Sequence, residues 1–223
     1  MSSGAAAVLN GSTHFLSTKT ETNELNRLLR ALPTGAITLV SGYASCGKTA
    51  LMLAALAKAS REAPVALVDT NERLDIHSAV EAGVDLDKLL WVRCSGAVEH
   101  AMKAAELLLR CGSFGMVVFD IADLSPRQLG GIPSACWMRL RRAVEKNRTI
   151  FLVLEQISST GSFSTAVLKL NNQGLRWAEK NRDLYTEPRE SSLFQGLTFS
   201  IEHRKPRIFS NDFRFNAIVD KFS

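Results

Sequence analysis

The chain has 223 residues, 46% hydrophobic and 22% charged, which suits one α/β domain with a substantial core and leaves little room for a second full domain. No apolar run approaches the ~18 residues that a bilayer span requires, and Met1 to Leu9 carry no basic segment ahead of their alanine-rich stretch, so neither a membrane span nor a secretory leader is expected and the cytoplasm is the expected location. A net charge of +5 permits an anionic partner such as nucleic acid without requiring one, and the four scattered cysteines (Cys46, Cys94, Cys111, Cys136) suggest neither a zinc site nor a disulfide framework.

Residues 1–20 are small and polar with little periodicity and read as a flexible arm, with the core expected over 21–223. Asn23 is placed to cap a short helix through Leu25, Leu28, Leu29 and Leu32, after which Pro33-Thr34-Gly35 turns the chain. Strands are expected at 36–41, 64–69, 89–94, 115–120 and 149–156, and helices at about 47–60, 75–82, 97–111 and 135–147. The strand segments are continuous apolar runs, as when both faces of a parallel sheet are covered by helices. Beyond residue 157 the pattern weakens to a Ser/Thr/Gly loop, a helix-like stretch from Val167 to Glu179, and two late strands near Leu197–His203 and Phe213–Val219. The fold class is therefore α/β: a mainly parallel central sheet with helices on both faces and antiparallel edge strands at the C-terminus.

Between the first strand and its helix stands Gly42-Tyr43-Ala44-Ser45-Cys46-Gly47-Lys48-Thr49, a complete Walker A sequence. Such a loop holds phosphate on inward-pointing backbone N–H groups at a helix N-terminus, and glycine lets the chain wrap closely enough to aim them. Gly42, Ser45, Cys46 and Gly47 form the cradle, Lys48 supplies an ammonium for the β/γ-phosphates, and the Thr49 hydroxyl is a ligand for Mg²⁺. The metal also needs a carboxylate on a neighbouring strand, and Asp120 ends the run Met116-Val117-Val118-Phe119. ATP and Mg²⁺ are the expected cofactors.

Further segments stand out: Leu32-Pro33-x-Gly35, Val68-Asp69-Thr70-Asn71-Glu72-Arg73-Leu74-Asp75, Gly83-Val84-Asp85-Leu86-Asp87-Lys88-Leu89-Leu90 and Leu154-Glu155-Gln156-Ile157. Together with the Walker A sequence they resemble the RecA-like P-loop ATPases, and within them the ImuA family of accessory proteins for translesion synthesis. The resemblance covers residues 21–156. It implies that Gln156 senses the γ-phosphate and that the loop Ser158 to Ser164, with Phe163 suited at best to weak base stacking, and the loop Pro126 to Gly131, with Arg127, are candidate contacts for single-stranded DNA, the first being equally well an ordinary loop. It also implies that Arg204, Lys205 and Arg207 cap ATP in trans within a homo-oligomer. The partners it suggests are ImuB-like proteins of an error-prone polymerase complex, single-stranded DNA or a RecA filament, in an SOS or DNA-repair setting. Arg139, Arg142 and Lys146 fall on one helical face opposite Leu140 and Val144, either a phosphate-binding stripe or an ordinary solvated face.

One departure bears on catalysis. The spacing from Asp69 to Leu74-Asp75 puts Asn71 where the family carries its water-activating glutamate, with Glu72 one residue along. An amide cannot accept the proton of the attacking water. Either Glu72 reaches in by a local shift, or hydrolysis is weak or absent. The sequence therefore leaves three readings: an ATP-binding accessory factor with at most weak ATPase activity, a DNA-dependent ATPase of the recombinase kind, and a non-hydrolysing adaptor.

Overall fold

The computed structural model describes residues 22–156, 160–177, 194–205 and 213–218. The elements in chain order are α1 (Thr22–Ala31), β1 (Ala36–Ser41), α2 (Lys48–Glu62), β2 (Val65–Asp69), α3 (Ile76–Glu81), β3 (Leu89–Arg93), α4 (Val98–Cys111), β4 (Met116–Asp120), α5 (Pro126–Gly130), α6 (Ser134–Val144), β5 (Ile150–Glu155), β6 (Ala166–Trp177), β7 (Phe194–Lys205) and β8 (Phe213–Ile218). The strands form one sheet in the order β3-β2-β4-β5-β1-β6-β7-β8. The ladders from β3 to β6 are parallel, and β7 and β8 add antiparallel to the far side.

Helices cover both faces, and each face has its own core. Leu28 and Leu29 of α1, Leu51, Met52, Leu53, Ala55 and Leu56 of α2 and Ala79 of α3 pack against Leu67, Val118, Leu152, Leu168 and Phe199. Met102 and Leu109 of α4, Leu129 of α5 and Trp137 and Leu140 of α6 pack against Val68, Val117, Phe119, Phe151 and Val153 on the opposite face. Alternation along β2, β4 and β5 sends successive residues to opposite cores, which is why these strands read as unbroken apolar runs. α4 is one-sided: Ala101, Met102, Ala105 and Leu109 are buried, and Gly112 stops the helix at φ 67°. Asn147 then ties the layer together, donating to the carbonyls of Leu109 and Ala143 and accepting from Thr149 N–H at 3.0 Å.

The structure corrects four expectations. The stretch from Val167, expected to be helical, is strand β6, pairing parallel with β1 from Ala166 to Lys169 and antiparallel with β7. Val167, Leu168 and Leu170 are buried in a strand covered on both faces, so no period-two signal survives, and the free edge of β1 decides the conformation. The segment Pro126 to Gly131, expected to be a loop, is mostly the short helix α5, opened by a capping box in which Ser125 and Gln128 satisfy each other's backbone N–H. Asn23, expected as a cap, falls inside α1. α6 ends at Val144, so Lys146 lies in the turn beyond it rather than on its face. The arm over 1–20, Ile157 to Ser159, Glu179, Arg207 and Val219 lie outside the described residues.

Candidate nucleotide site

The loop from Gly42 to Gly47 leaves the C-terminal end of β1 and enters α2, the central position for ligand binding in open α/β sheets. Gly47 has φ 92°, and a β-carbon there would stand 2.6 Å from the Phe199 ring; one at Gly42 would meet Cys46 Sγ at 2.5 Å and the Leu170 carbonyl at 2.8 Å. Both positions therefore require glycine for space, and Gly47 for its backbone angle as well. Ser45 also occupies the left-handed region, at φ 57°. No side chain caps the N-terminus of α2 and no acidic residue stands in its first turn, leaving its N–H groups and partial positive charge for an anion. Lys48 Nζ folds back onto the Gly42 carbonyl and donates to Tyr43 O at 3.3 Å, which keeps the ammonium at the loop. Thr49 is exposed, whereas Cys46 is buried and its thiol is pushed up by that burial, marking it as a packing residue rather than a nucleophile.

β5 lies between β1 and β4, with Ser41 level with Glu155 and Leu154 level with Asp120. The ends of these strands bring the phosphate loop, Gln156 and Asp120 to one edge of the sheet. Since Met116 and Val118 belong to the core beneath α2, alternation puts Asp120 on the same face as Thr49. Burial pushes the Asp120 carboxyl up to about 6; Asp69 and Asp123 push the same way, while the N–H of Ala122, donating to Oδ1 at 3.0 Å, and the Lys48 charge oppose it. A half-buried acid held against its own ionisation beside an ammonium is suited to receiving a cation. The residues present thus fit a Mg²⁺·triphosphate: N–H groups and Lys48 for the phosphates, Thr49 and Asp120 for the metal. Among the described residues no group of three His, Cys, Asp or Glu is placed for metal binding, and a P-loop magnesium, carried largely by phosphate and water, needs none.

The exit of β2 is arranged differently. Glu72 sits at φ 58°, and its carboxylate is held by Ser95 Oγ at 2.5 Å and by the Arg93 guanidinium, which together keep it below the usual carboxylate range. Arg93 in turn lies 5.1 Å from the centre of the Trp91 ring. Glu72 is thereby drawn toward edge strand β3, on the side away from β1. Asn71 Oδ1 lies in the same direction, 4.0 Å from where a β-carbon on Gly96 would stand. Asp69, which the motif reading passed over, is buried opposite Asp120 and accepts from Leu74 N–H at 2.9 Å and Trp91 Nε1 at 3.2 Å. Arg73 pairs with Asp123 at 2.7 Å, linking the turns after β2 and β4.

The family model described as the RecA N-terminal domain matches residues 12–158, more than half of the chain. The chain belongs to that family. Protein RecA of Clavibacter michiganensis subsp. michiganensis is 42% identical over 98 residues, 43% of this chain and 27% of that protein. Protein RecA of Nautilia profundicola is 33% identical over 141 residues, 56% of this chain and 40% of that protein. The matches thus span well under half the length of these relatives. A crystal structure of the RadB recombinase aligns with TM-score 0.60 at 18% identity, covering 90% of this chain and 95% of that one, which establishes a common fold. RecA-family proteins in general bind ATP with Mg²⁺.

The remaining residues singled out by the RecA-like resemblance are placed unevenly. Gln156 and Phe163 line one cleft of about 250 Å³, together with Leu129 and Gly130 of α5 and Trp137 of α6. Phe163 is half-buried and stacks on Trp137, ring centres 6.2 Å apart and 13° from parallel, so much of the ring is already engaged. Arg127 is exposed on α5. The basic stripe is broken up: Arg139 pairs with Glu106 of α4 at 3.1 Å, Arg142 is exposed on α6, and Lys146 is beyond the helix. Arg204 pairs with Glu202 at 2.9 Å. Lys205 is opposite Val167, which is level with Leu39 in mid β1, so this end of β7 lies below the phosphate loop of its own chain. Among the described residues no helix is long and apolar enough to cross a membrane.

Proposed function

We propose that this chain binds Mg·ATP at the Gly42–Thr49 loop and acts as a nucleotide-dependent accessory factor in DNA-damage tolerance, with weak or no ATP hydrolysis. One observation carries the reading. The parts that hold phosphate and metal are complete, whereas the exit of β2 offers an amide at Asn71 and a carboxylate at Glu72 that Arg93 and Ser95 already occupy. Lys48 and the α2 N–H groups would hold the phosphates, and Thr49 and Asp120 would hold the magnesium, which supplies charge neutralisation when bound. Gln156, the residue just past the end of the strand between the loop and Asp120, would by the RecA-like resemblance donate toward the γ-phosphate. The segments Leu32–Gly35, Val68–Asp75, Gly83–Leu90 and Leu154–Ile157 resemble those of ImuA, which suggests ImuB-like partners in an error-prone polymerase complex and contact with single-stranded DNA or a RecA filament. A cap by Arg204, Lys205 and Arg207 requires a second copy of the chain, since the strand register puts the end of β7 that carries Arg204 and Lys205 below the loop in cis.

Purified protein tests this through ATP affinity and ATP turnover measured with and without single-stranded DNA. The expected result is Mg²⁺-dependent ATP binding with slow turnover that DNA does not raise strongly. Rapid DNA-stimulated turnover would favour a recombinase-type ATPase instead, and absence of nucleotide binding would leave an adaptor.

A further inference from the structure

The antiparallel ribbon of β6 and β7 touches the phosphate loop at three points, none of which belongs to the Walker sequence. β6 continues past the level of Ser41, its last residue paired with β1 being Lys169, so the residues from Leu170 onward stand beside the loop. The Leu170 carbonyl backs Gly42, and the Phe199 ring fills the space beside Gly47. Asn172, the register partner of Phe199, donates from Nδ2 to the Ser45 carbonyl at 3.1 Å. Its Oδ1 accepts the Gly174 N–H at 2.8 Å, at the bulge where the register shifts, so both ends of the amide are used and its orientation is fixed.

We infer that Asn172 is a positioning residue for phosphate binding, setting the direction of the peptide between Ser45 and Cys46; this rests on the nucleotide reading above. In a planar trans peptide the C=O and the N–H point in opposite directions. Holding the Ser45 carbonyl toward β6 therefore turns the Cys46 N–H away from β6, into the hollow of the loop. The alternative orientation would present a carbonyl oxygen to the phosphates, repelling them. Ser45 itself holds a left-handed backbone that non-glycine residues seldom adopt, at φ 57°. The Asn172 hydrogen bond offsets that strain before any ligand arrives, which is preorganisation of an anion site from a strand 127 residues away in sequence.

The test measures binding of Mg·ATP, of pyrophosphate and of adenosine to the wild-type chain and to Asn172→Leu and Asn172→Ala, with thermal melts of all three proteins. Asn172 is exposed, and both variants are expected to melt close to the wild type. ATP and pyrophosphate affinities should fall by a similar factor, roughly three- to tenfold for one lost hydrogen bond, with adenosine binding unchanged. The Cys46 amide proton resonance, shifted on ATP binding in the wild type, should shift less in the variants; a general loosening of the fold would weaken adenosine as well. Phosphate affinities within twofold of wild type in both variants would overturn the inference and leave the nucleotide reading standing. A wild-type chain that binds neither ATP nor pyrophosphate would remove both.

Discussion

The two sides of the nucleotide site differ in where their polar groups point. On the β1 side the groups converge: the α2 N-terminus is uncapped, Lys48 lies on the loop, and β6 and β7 brace the loop from outside. On the β2 side they turn away, with Glu72 clasped by Arg93 and Ser95 at the sheet edge and Asn71 supplying an amide. Binding a phosphate needs only a preorganised charge-complementary surface, whereas hydrolysis needs a base aimed at one water. On the proposed reading, this difference lets the fold keep the first while the second is weakened.

Lys48→Ala should give the largest effect and test the converging side. Loss of a charge-assisted contact to phosphate predicts ATP affinity lower by roughly thirty- to a hundredfold, read by titration calorimetry. A fall of less than about threefold would mean that the loop holds no triphosphate. Asp120→Asn comes next and acts with opposite signs on stability and binding. Because the folded carboxyl titrates at about 6, the folded chain binds more protons than the unfolded one between about pH 4 and 6, so the Asp120 contribution to stability falls as pH rises through that window. Asparagine keeps the acceptor for Ala122 N–H and removes the charge. The variant should be about 1–3 kcal/mol more stable than wild type at pH 7, with the gap closing toward pH 4, in urea melts of nucleotide-free protein. Its Mg²⁺-dependent ATP binding should weaken. A stability gap that does not change with pH would show that Asp120 ionises freely.

Asn71→Glu addresses the diverging side. A carboxylate at the position where RecA-like relatives are expected to carry their base should raise ATP turnover at least about tenfold, with ATP affinity within about twofold of wild type. No gain would show that more than one missing base limits hydrolysis.

The contrast between the two sides was only partly legible in the sequence. The phosphate loop is visible because its chemistry occupies eight consecutive residues between a strand and a helix, and Asp120 because it ends an apolar run. The Asn71 departure is visible by spacing alone. The clasp on Glu72 is not, because it joins residues 21 and 23 positions apart that meet only when β2 and β3 pair. Asn172 and Phe199 were hidden more deeply, since reading Val167 onward as a helix removed the strand that carries Asn172 to the loop. On α6, helical spacing put Arg139 on an open face, and it is exposed there, but its ion pair with Glu106 of α4 could not be read from its own helix. The parallel order of β1 to β5 followed from strand and helix alternation, whereas the parallel pairing of β6 with β1 did not.

Glu72→Gln should give the smallest effect, and it separates the two explanations for the diverging side. The amide keeps a carbonyl oxygen for Ser95 and loses the charge that Arg93 pairs with, so the clasp weakens without removing the side chain. If Glu72 is only a clasp, turnover and ATP affinity should both stay within about twofold of wild type, because surface ion pairs contribute little. If Glu72 leaves its partners to act as the base, the same substitution should abolish what turnover exists, as loss of a general base costs about 10²–10⁴ in rate. Arg93→Ala distinguishes these further, since it frees the carboxylate while leaving it charged. Faster hydrolysis in Arg93→Ala, lost again when Glu72→Gln is added, would show that the clasp restrains a competent base. Unchanged hydrolysis in both would leave Asn71 as the reason that this side of the site is quiet.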